Sequence, residues 1–511
     1  MGWARCVARA PAIERARVLW IVLLSGVIAG CAVHPKRIDD DKNRARAADL
    51  LQRFTANQEP VTKPIDLYEA MARAVKYNLD YRVEMMEQAL RVKDLDLKRM
   101  DMLPRLVASL DYSSRNNDSG GSSRSLLTGR TSLEPSTSSD RNVLATDMTL
   151  SWDVLDFGLS YVRAQQSADD VMIAEERKRK VLIRIIEDVR SAYWRSVSAE
   201  RLLAKAGQLD RATQEALRSA RAQVQGQQVA PLAPLTYQRE VLLIKRETES
   251  LVREIAVAKQ QLGALMNLPP DAQYTVVLPP RNQVWRPIAM STPDMMRVAI
   301  ENRPELREVA YQLRTNSRES TAALLRGLPN LKLFMGANWS DNSFLYNDRW
   351  LSAGARASWD VLNVFRLPAD RQKVKAQDAL LDQRSLALTT AVGVQVSVAR
   401  ARYEYLLREL DTATDMLQVQ QLIMGQIQAG FQAEKLSRQT LLREQLNTVV
   451  SEVRYDTAVA DLQNAFANLY SSIGVDPIDV SMSSHDSVDI LAEKLRSLWR
   501  VRETQLTEAR Q

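Results

Sequence analysis

The sequence has little of what enzymatic sites are built from. Among 511 residues there are two His and two Cys. His34 and His485 stand in the terminal segments and Cys6 in an N-terminal leader, so no cluster with zinc or iron–sulfur spacing can be assembled. Glycine, at 17 residues, and aromatics, at 6%, are sparse for a large compact enzyme. Neither a Gly-rich phosphate loop nor a GxSxG elbow occurs, so an enzymatic reading has no support and no cofactor is expected. Beyond residue 30 no stretch approaches eighteen apolar residues, and any later membrane contact must be made by strands. Charge of one sign is lacking too. The formal +7 falls to +4 once Arg5, Arg9, Arg15, Arg17 and Glu14 leave with the leader, and a nearly balanced chain gives no ground for nucleic acid binding.

What is present begins with an address. The four Arg of residues 1–17 precede the apolar run Val18 to Ala29, which is short for a transmembrane helix and ends in Ile28-Ala29-Gly30-Cys31. Residues 1–30 read as a secretory signal peptide. The small residues before Cys31 resemble a bacterial lipobox, which implies lipidation of Cys31; ordinary cleavage and an uncleaved anchor are the alternatives. By resemblance again, Ala32 rather than Asp after the Cys implies the outer membrane.

The chain then repeats itself. Leu103-Pro104-Arg105-Leu106 matches Leu328-Pro329-Asn330-Leu331, and Ala74 to Arg82 matches Ala299 to Arg307, at a spacing of 225. From Ser151-Trp152-Asp153-Val154-Leu155 against Ser358-Trp359-Asp360-Val361-Leu362 the spacing is 207 and persists to Pro270/Pro477. The extra eighteen residues of the first half fall around a Ser, Gly and Asn-rich loop, Ser113 to Asn142. These landmarks predict a signal peptide (1–30), a lipid-anchored linker (31–63), a first repeat (64–270), an inter-repeat linker (271–291), a second repeat (292–477) and a C-terminal extension (478–511).

Flanking the loops, apolar residues alternate with polar ones. Leu106, Ala108, Leu110 and Tyr112 form one set; Leu144, Thr146, Met148, Leu150 and Trp152 another. The second half gives Leu331, Leu333, Met335, Ala337 and Trp339, then Leu351, Ala353, Ala355, Ala357 and Trp359, with Lys332 and Arg356 among the intervening positions. Four strands of roughly nine to eleven residues are predicted, long enough to cross a bilayer at a tilt. On alternation alone a soluble half-buried hairpin reads the same. The aromatics at strand ends, Trp152, Trp339, Trp350 and Trp359, favour a membrane barrel with girdles. Four strands cannot close a barrel, so a membrane-spanning sheet requires several copies.

After each strand pair the period switches to heptads. Helices are predicted over about 159–225 and 366–430, each followed by a turn and a return helix over about 235–267 and 438–473. Shorter helices, about 66–102 and 292–327, break near Asn78 and Pro304. Such hairpins expose apolar seams that must meet other copies, although the helices alone would also suit a periplasmic coiled-coil scaffold lipoprotein. Ile490, Leu491, Leu495, Leu498 and Trp499 predict an amphipathic helix packed on the outside of the barrel.

Strand, strand, long helix and return helix, repeated twice behind a lipobox, resembles the TolC-like outer membrane efflux proteins over about residues 60–480. Trp152 to Gly158 looks like that family's exit from the barrel, with Gly158 easing a sharp turn, and Ala429-Gly430-Phe431 resembles its hairpin tip. The resemblance implies a mainly α chain with membrane β strands, four strands per protomer. Three protomers would form one outer membrane barrel, continued by a long periplasmic α-helical barrel. It implies a passive exit duct for small molecules, working with an inner membrane transporter and a periplasmic adaptor, or the outer membrane channel of a type I protein secretion system. The adaptor would dock at the tips, including Gly226, Pro231, Gly430, Phe431 and Ser437, with Gly226 and Gly430 also fitted to helix C-capping. Where the family narrows the periplasmic aperture with carboxylates, this chain has Gln426 and Gln428. A mouth sealed by amides is expected to respond weakly to salt and pH, with Asp411 and Asp415 as solvated surface acids.

Overall fold

The computed structural model describes residues 35–56, 58–132, 134–225, 232–270, 272–281, 285–475 and 486–507. The chain divides into two units, Met1–Gln58 and Glu59–Gln511. In the first, where a linker was expected, α1 (Asp40–Arg53) forms. Asp39 caps it by accepting the Asp41 N–H at 3.3 Å, and acids in its first turn with Arg53 in its last suit the helix dipole. None of its residues is buried.

The second unit is built from two similar halves. The first holds α2 (Leu67–Tyr77), α3 (Leu79–Met100), β1 (Arg105–Ser114), β2 (Asn142–Asp153), α4 (Val154–Gln225) and α5 (Leu232–Leu265). The second holds α6 (Thr292–Asn302), α7 (Pro304–Arg326), β3 (Asn330–Ser340), β4 (Arg349–Ser358), α8 (Leu362–Gln432) and α9 (Arg438–Ser472), and α10 (Val488–Thr507) closes the chain. At 1.5 Å per residue the 72 residues of α4 and 71 of α8 make each about 107 Å long. No helix of the described residues is long and apolar enough to cross a membrane.

Local chemistry sets the breaks. Pro304 forces Arg303 out of helical geometry, to ψ 128°, separating α6 from α7. At the equivalent place Asn78, at ψ 127°, separates α2 from α3 and caps the latter by accepting the Tyr81 N–H. The return helices end at another equivalent pair, Asn267 with φ 58° and Gly474 with φ 72°, both left-handed as a Schellman terminus requires. A Cβ on Gly474 would lie 2.8 Å from the Arg303 nitrogen, so glycine is needed there twice over. One expectation fails: Gly158 is not at a turn, because α4 starts at Val154, directly after β2, and Gly158 lies within the helix against Leu325.

The four strands make one antiparallel sheet in the order β1-β2-β3-β4. Beside it the helices keep the same order, α3-α4-α7-α8, because each continues the strand it adjoins. Farther along, the order becomes α5-α4-α9-α8. The main core sits where the two layers meet, under α2, α6 and α10. Tyr403, Phe466, Tyr470 and Trp499 form a ladder there with ring centroids 6.0, 5.2 and 5.3 Å apart. Arg190 lies 4.4 Å over Trp499. The C-terminal helix is thus part of the core: Leu491, Leu495 and Trp499 are buried, Leu498 is half-buried and Ile490 faces out.

Candidate functional site

The register decides which side chains share a face. Tyr112 opposes Leu144, Leu110 opposes Thr146, Ala108 opposes Met148 and Leu106 opposes Leu150. Thr146 opposes Trp339, Leu150 opposes Met335 and Trp152 opposes Leu333. Met335 opposes Ala353, and Ala337 opposes Leu351. All the apolar sets therefore lie on one face of one sheet. That face is bare: Leu110 is 70% and Leu351 82% exposed. A soluble sheet would cover such a surface.

Register separates Trp350 from Trp152 and Trp339, with which it was expected to share a girdle. Trp152 and Trp339 belong to the apolar face, and Trp152 meets Phe157 edge-on at 5.6 Å. Trp350 opposes Asn338, so by alternation it joins Ser352, Gly354 and Arg356 on the polar face. Proximity to a strand end could not reveal this, since one position along the strand reverses the face. Trp359 lies just past β4, where its indole N–H donates to the Gly327 carbonyl at 3.1 Å.

The polar face is close-fitted. A Cβ on Gly354 would meet the Phe334 ring at 2.7 Å, and one on Gly336 would meet Thr149 Oγ1 at 2.9 Å. Asp147 accepts from Ser109 Oγ at 2.6 Å and Thr149 Oγ1 at 3.1 Å. At the loop end Asp341 accepts the Leu144 N–H at 2.7 Å and Asp140 the Ser343 N–H at 2.6 Å, joining the two halves.

Among the described residues, β1 and β4 each pair on one side only. Their outer backbone groups are free to hydrogen-bond with another chain. The helical layers end in the same way. On α3, Val83, Met86, Leu90, Leu97 and Met100 follow three-four spacing and are exposed; on α8, Val394, Val398, Tyr405, Met416, Val419 and Ile423 are exposed.

Buried charges, which the sequence reading did not find, hold the layers in place. Asp169 on α4 is 1% exposed and paired with Arg314, at 2.5 Å, and Arg318 of α7. Asp456 on α9 is 2% exposed and bridges Arg201, at 2.7 Å, and Arg281, at 2.6 Å. Glu319 lines a groove of about 660 Å³ with Gln166, Arg326, Asp370 and Lys373. Partial burial alone would raise its pKa; hydrogen bonds from Gln166 (3.0 Å) and Arg326 (2.9 Å) outweigh that and lower it. Burial, with Glu187 beside it, raises Asp188.

The second hairpin tip is a Schellman turn in which Lys435 N–H reaches Gly430 O at 2.9 Å and Glu434 N–H reaches Phe431 O at 3.0 Å. The left-handed residue is Glu434 at φ 58°, not Gly430. Gly430 stands three places before the cap, where its missing side chain admits Leu436. Ser437 starts α9 by accepting the Thr440 N–H at 3.1 Å. Gln426 and Gln428 are exposed near the end of α8, with Asp411 and Asp415 exposed farther up. Gly226, Pro231, Cys31, His34 and His485 lie outside the described residues.

No family model matches the chain, and no curated protein matches it in sequence. Solved structures do match. The Campylobacter jejuni CmeC outer membrane channel is similar over 88% of this chain and 96% of its own, at 13% identity and TM-score 0.62. The open state of the Neisseria gonorrhoeae MtrE outer membrane channel matches over 80% and 88%, at 15% identity and TM-score 0.61. CusC, described in connection with folding and transmembrane channel formation, matches over 83% and 96%, at 17% identity and TM-score 0.59. At such identities the fold alone is what is shared, and it is the fold of these outer membrane channels.

Proposed function

We propose that this chain is the outer membrane channel of a tripartite efflux system, a passive exit duct for small molecules in which no bond is made or broken. The observation that carries the reading is the bare apolar sheet face bounded by two unpaired edges. In lipid each unpaired backbone group costs several kcal/mol, and closed barrels begin at about eight strands, so copies must pool their strands. Three copies, the number the TolC-like resemblance implies, give one twelve-stranded barrel, with the exposed stripe of α3 near the sheet and that of α8 farther along each lying at a boundary between neighbours. Lipidated Cys31 anchors the chain to the outer membrane. The tips around residues 226–231 and Gly430 to Ser437 receive a periplasmic adaptor, which joins the duct to an inner membrane transporter.

A native gel of the membrane fraction tests this. A heat-sensitive trimer that needs detergent for extraction and forms conductance steps in planar bilayers supports it. A salt-extractable single-copy rod without conductance refutes it and leaves the scaffold reading. Deletion of the gene is expected to raise susceptibility to toxic small molecules, and Cys31→Ser to remove the acyl label.

A further inference from the structure

We propose that the helix end of the sheet's polar face is an anion-binding belt, with Arg105, Lys332 and Arg356 recognising carboxylate, sulfate or phosphate groups on passing solutes. This rests on the reading of the sheet as the wall of a duct. Register puts Asp153 opposite Lys332 and Lys332 opposite Arg356, while Arg105 opposes Ser151 on the same face. Like charges directly opposite one another destabilise an antiparallel pair, and Lys332 and Arg356 are such a pair.

The chain offers little to neutralise them. Asp153 lies 3.9 Å from Lys332 and also accepts from Asn330 Nδ2 at 3.1 Å. Among the described residues no carboxylate lies within ion-pair distance of Arg105 or Arg356, so this row of the sheet sets three cations against the single carboxylate of Asp153. Arg105 and Arg356 also stand on the two edge strands. Closing the sheet with a second copy brings one chain's Arg356 and the next chain's Arg105 to the same seam. Two guanidiniums there need a counter-anion, and their planar forks suit carboxylate, sulfate and phosphate. The other acids of the polar face, Asp111 and Asp147, lie nearer the loop end than Asp153, so the wall is polarised along its length. Within a low-dielectric rim such a belt concentrates anions.

The test uses the full-length membrane-extracted protein in planar bilayers under a KCl gradient. Lys332→Glu with Arg356→Glu is expected to lower the chloride-to-potassium permeability ratio roughly threefold or more, and Asp111→Asn with Asp147→Asn to raise it. Should the reversed-charge variant fail to insert, Arg105→Gln with Arg356→Gln serves: added sulfate blocks chloride current through the unmodified channel and loses that effect in the variant. An unchanged permeability ratio, or equal sulfate block in the variant, overturns the belt while the duct stands. Absence of any conductance from the unmodified protein overturns the duct reading itself.

Discussion

Replacing Leu110 by Arg and, separately, Val107 by Arg puts the same charge on opposite faces of β1. Both residues are apolar, and both are exposed in the single chain, 70% for Leu110 and 54% for Val107, so exposure alone predicts equal and small effects. The proposed membrane setting predicts otherwise. Leu110 is central in a ten-residue strand on the apolar face, and Val107 opposes Thr149 on the polar face. Arg on the lipid side of a barrel costs about 2–4 kcal/mol at the bilayer midplane, or about 6–12 kcal/mol for three copies in one barrel. On the water-lined side the same change is expected to stay within about 0.5 kcal/mol. The assay is the fraction of chain recovered from membranes as heat-sensitive oligomer, with urea titration of the purified oligomer for magnitude. Leu110→Arg should abolish the oligomer and Val107→Arg should leave it. Equal loss in both, or loss only in Val107→Arg, would refute the assignment of faces.

Asp456→Asn leaves Arg201 and Arg281 without their carboxylate and is expected to destabilise by about 3–5 kcal/mol, read as a fall in thermal midpoint. Gly474→Ala combines left-handed strain of about 1–2 kcal/mol with a clash against Arg303, whereas Glu434→Gly relieves strain and should stabilise the second tip by up to about 1 kcal/mol; denaturant midpoints measure both. Glu319 has its carboxyl pKa lowered in the fold, so its contribution is present above the ordinary Glu value of about 4.3 and is lost as pH falls through the lower folded value. Glu319→Gln should therefore flatten the acid limb of stability against pH, and an unchanged limb would refute that role.

The strands and helices of the two repeats are legible in local pattern, whereas α1 (Asp40–Arg53) falls where the sequence reads as linker. Period-two alternation from Leu106 to Tyr112 and heptads from Leu182 to Ala206 are local patterns, each readable without a partner, and the 225 and 207 spacings carried them into the second half. The helix breaks near Asn78 and Pro304 followed from the sequence because capping and the restriction before proline act within a few residues. What the tertiary structure decided was every relation across the chain. Trp350 reads as a girdle residue until register sets it against Asn338. Lys332 and Arg356 are two polar positions among many until pairing makes them neighbours, and Asp169 is an ordinary helix acid until α7 brings Arg314 to it. Those contacts join segments far apart in sequence, and hydrogen-bonded register between distant strands leaves no periodic mark on either strand taken alone.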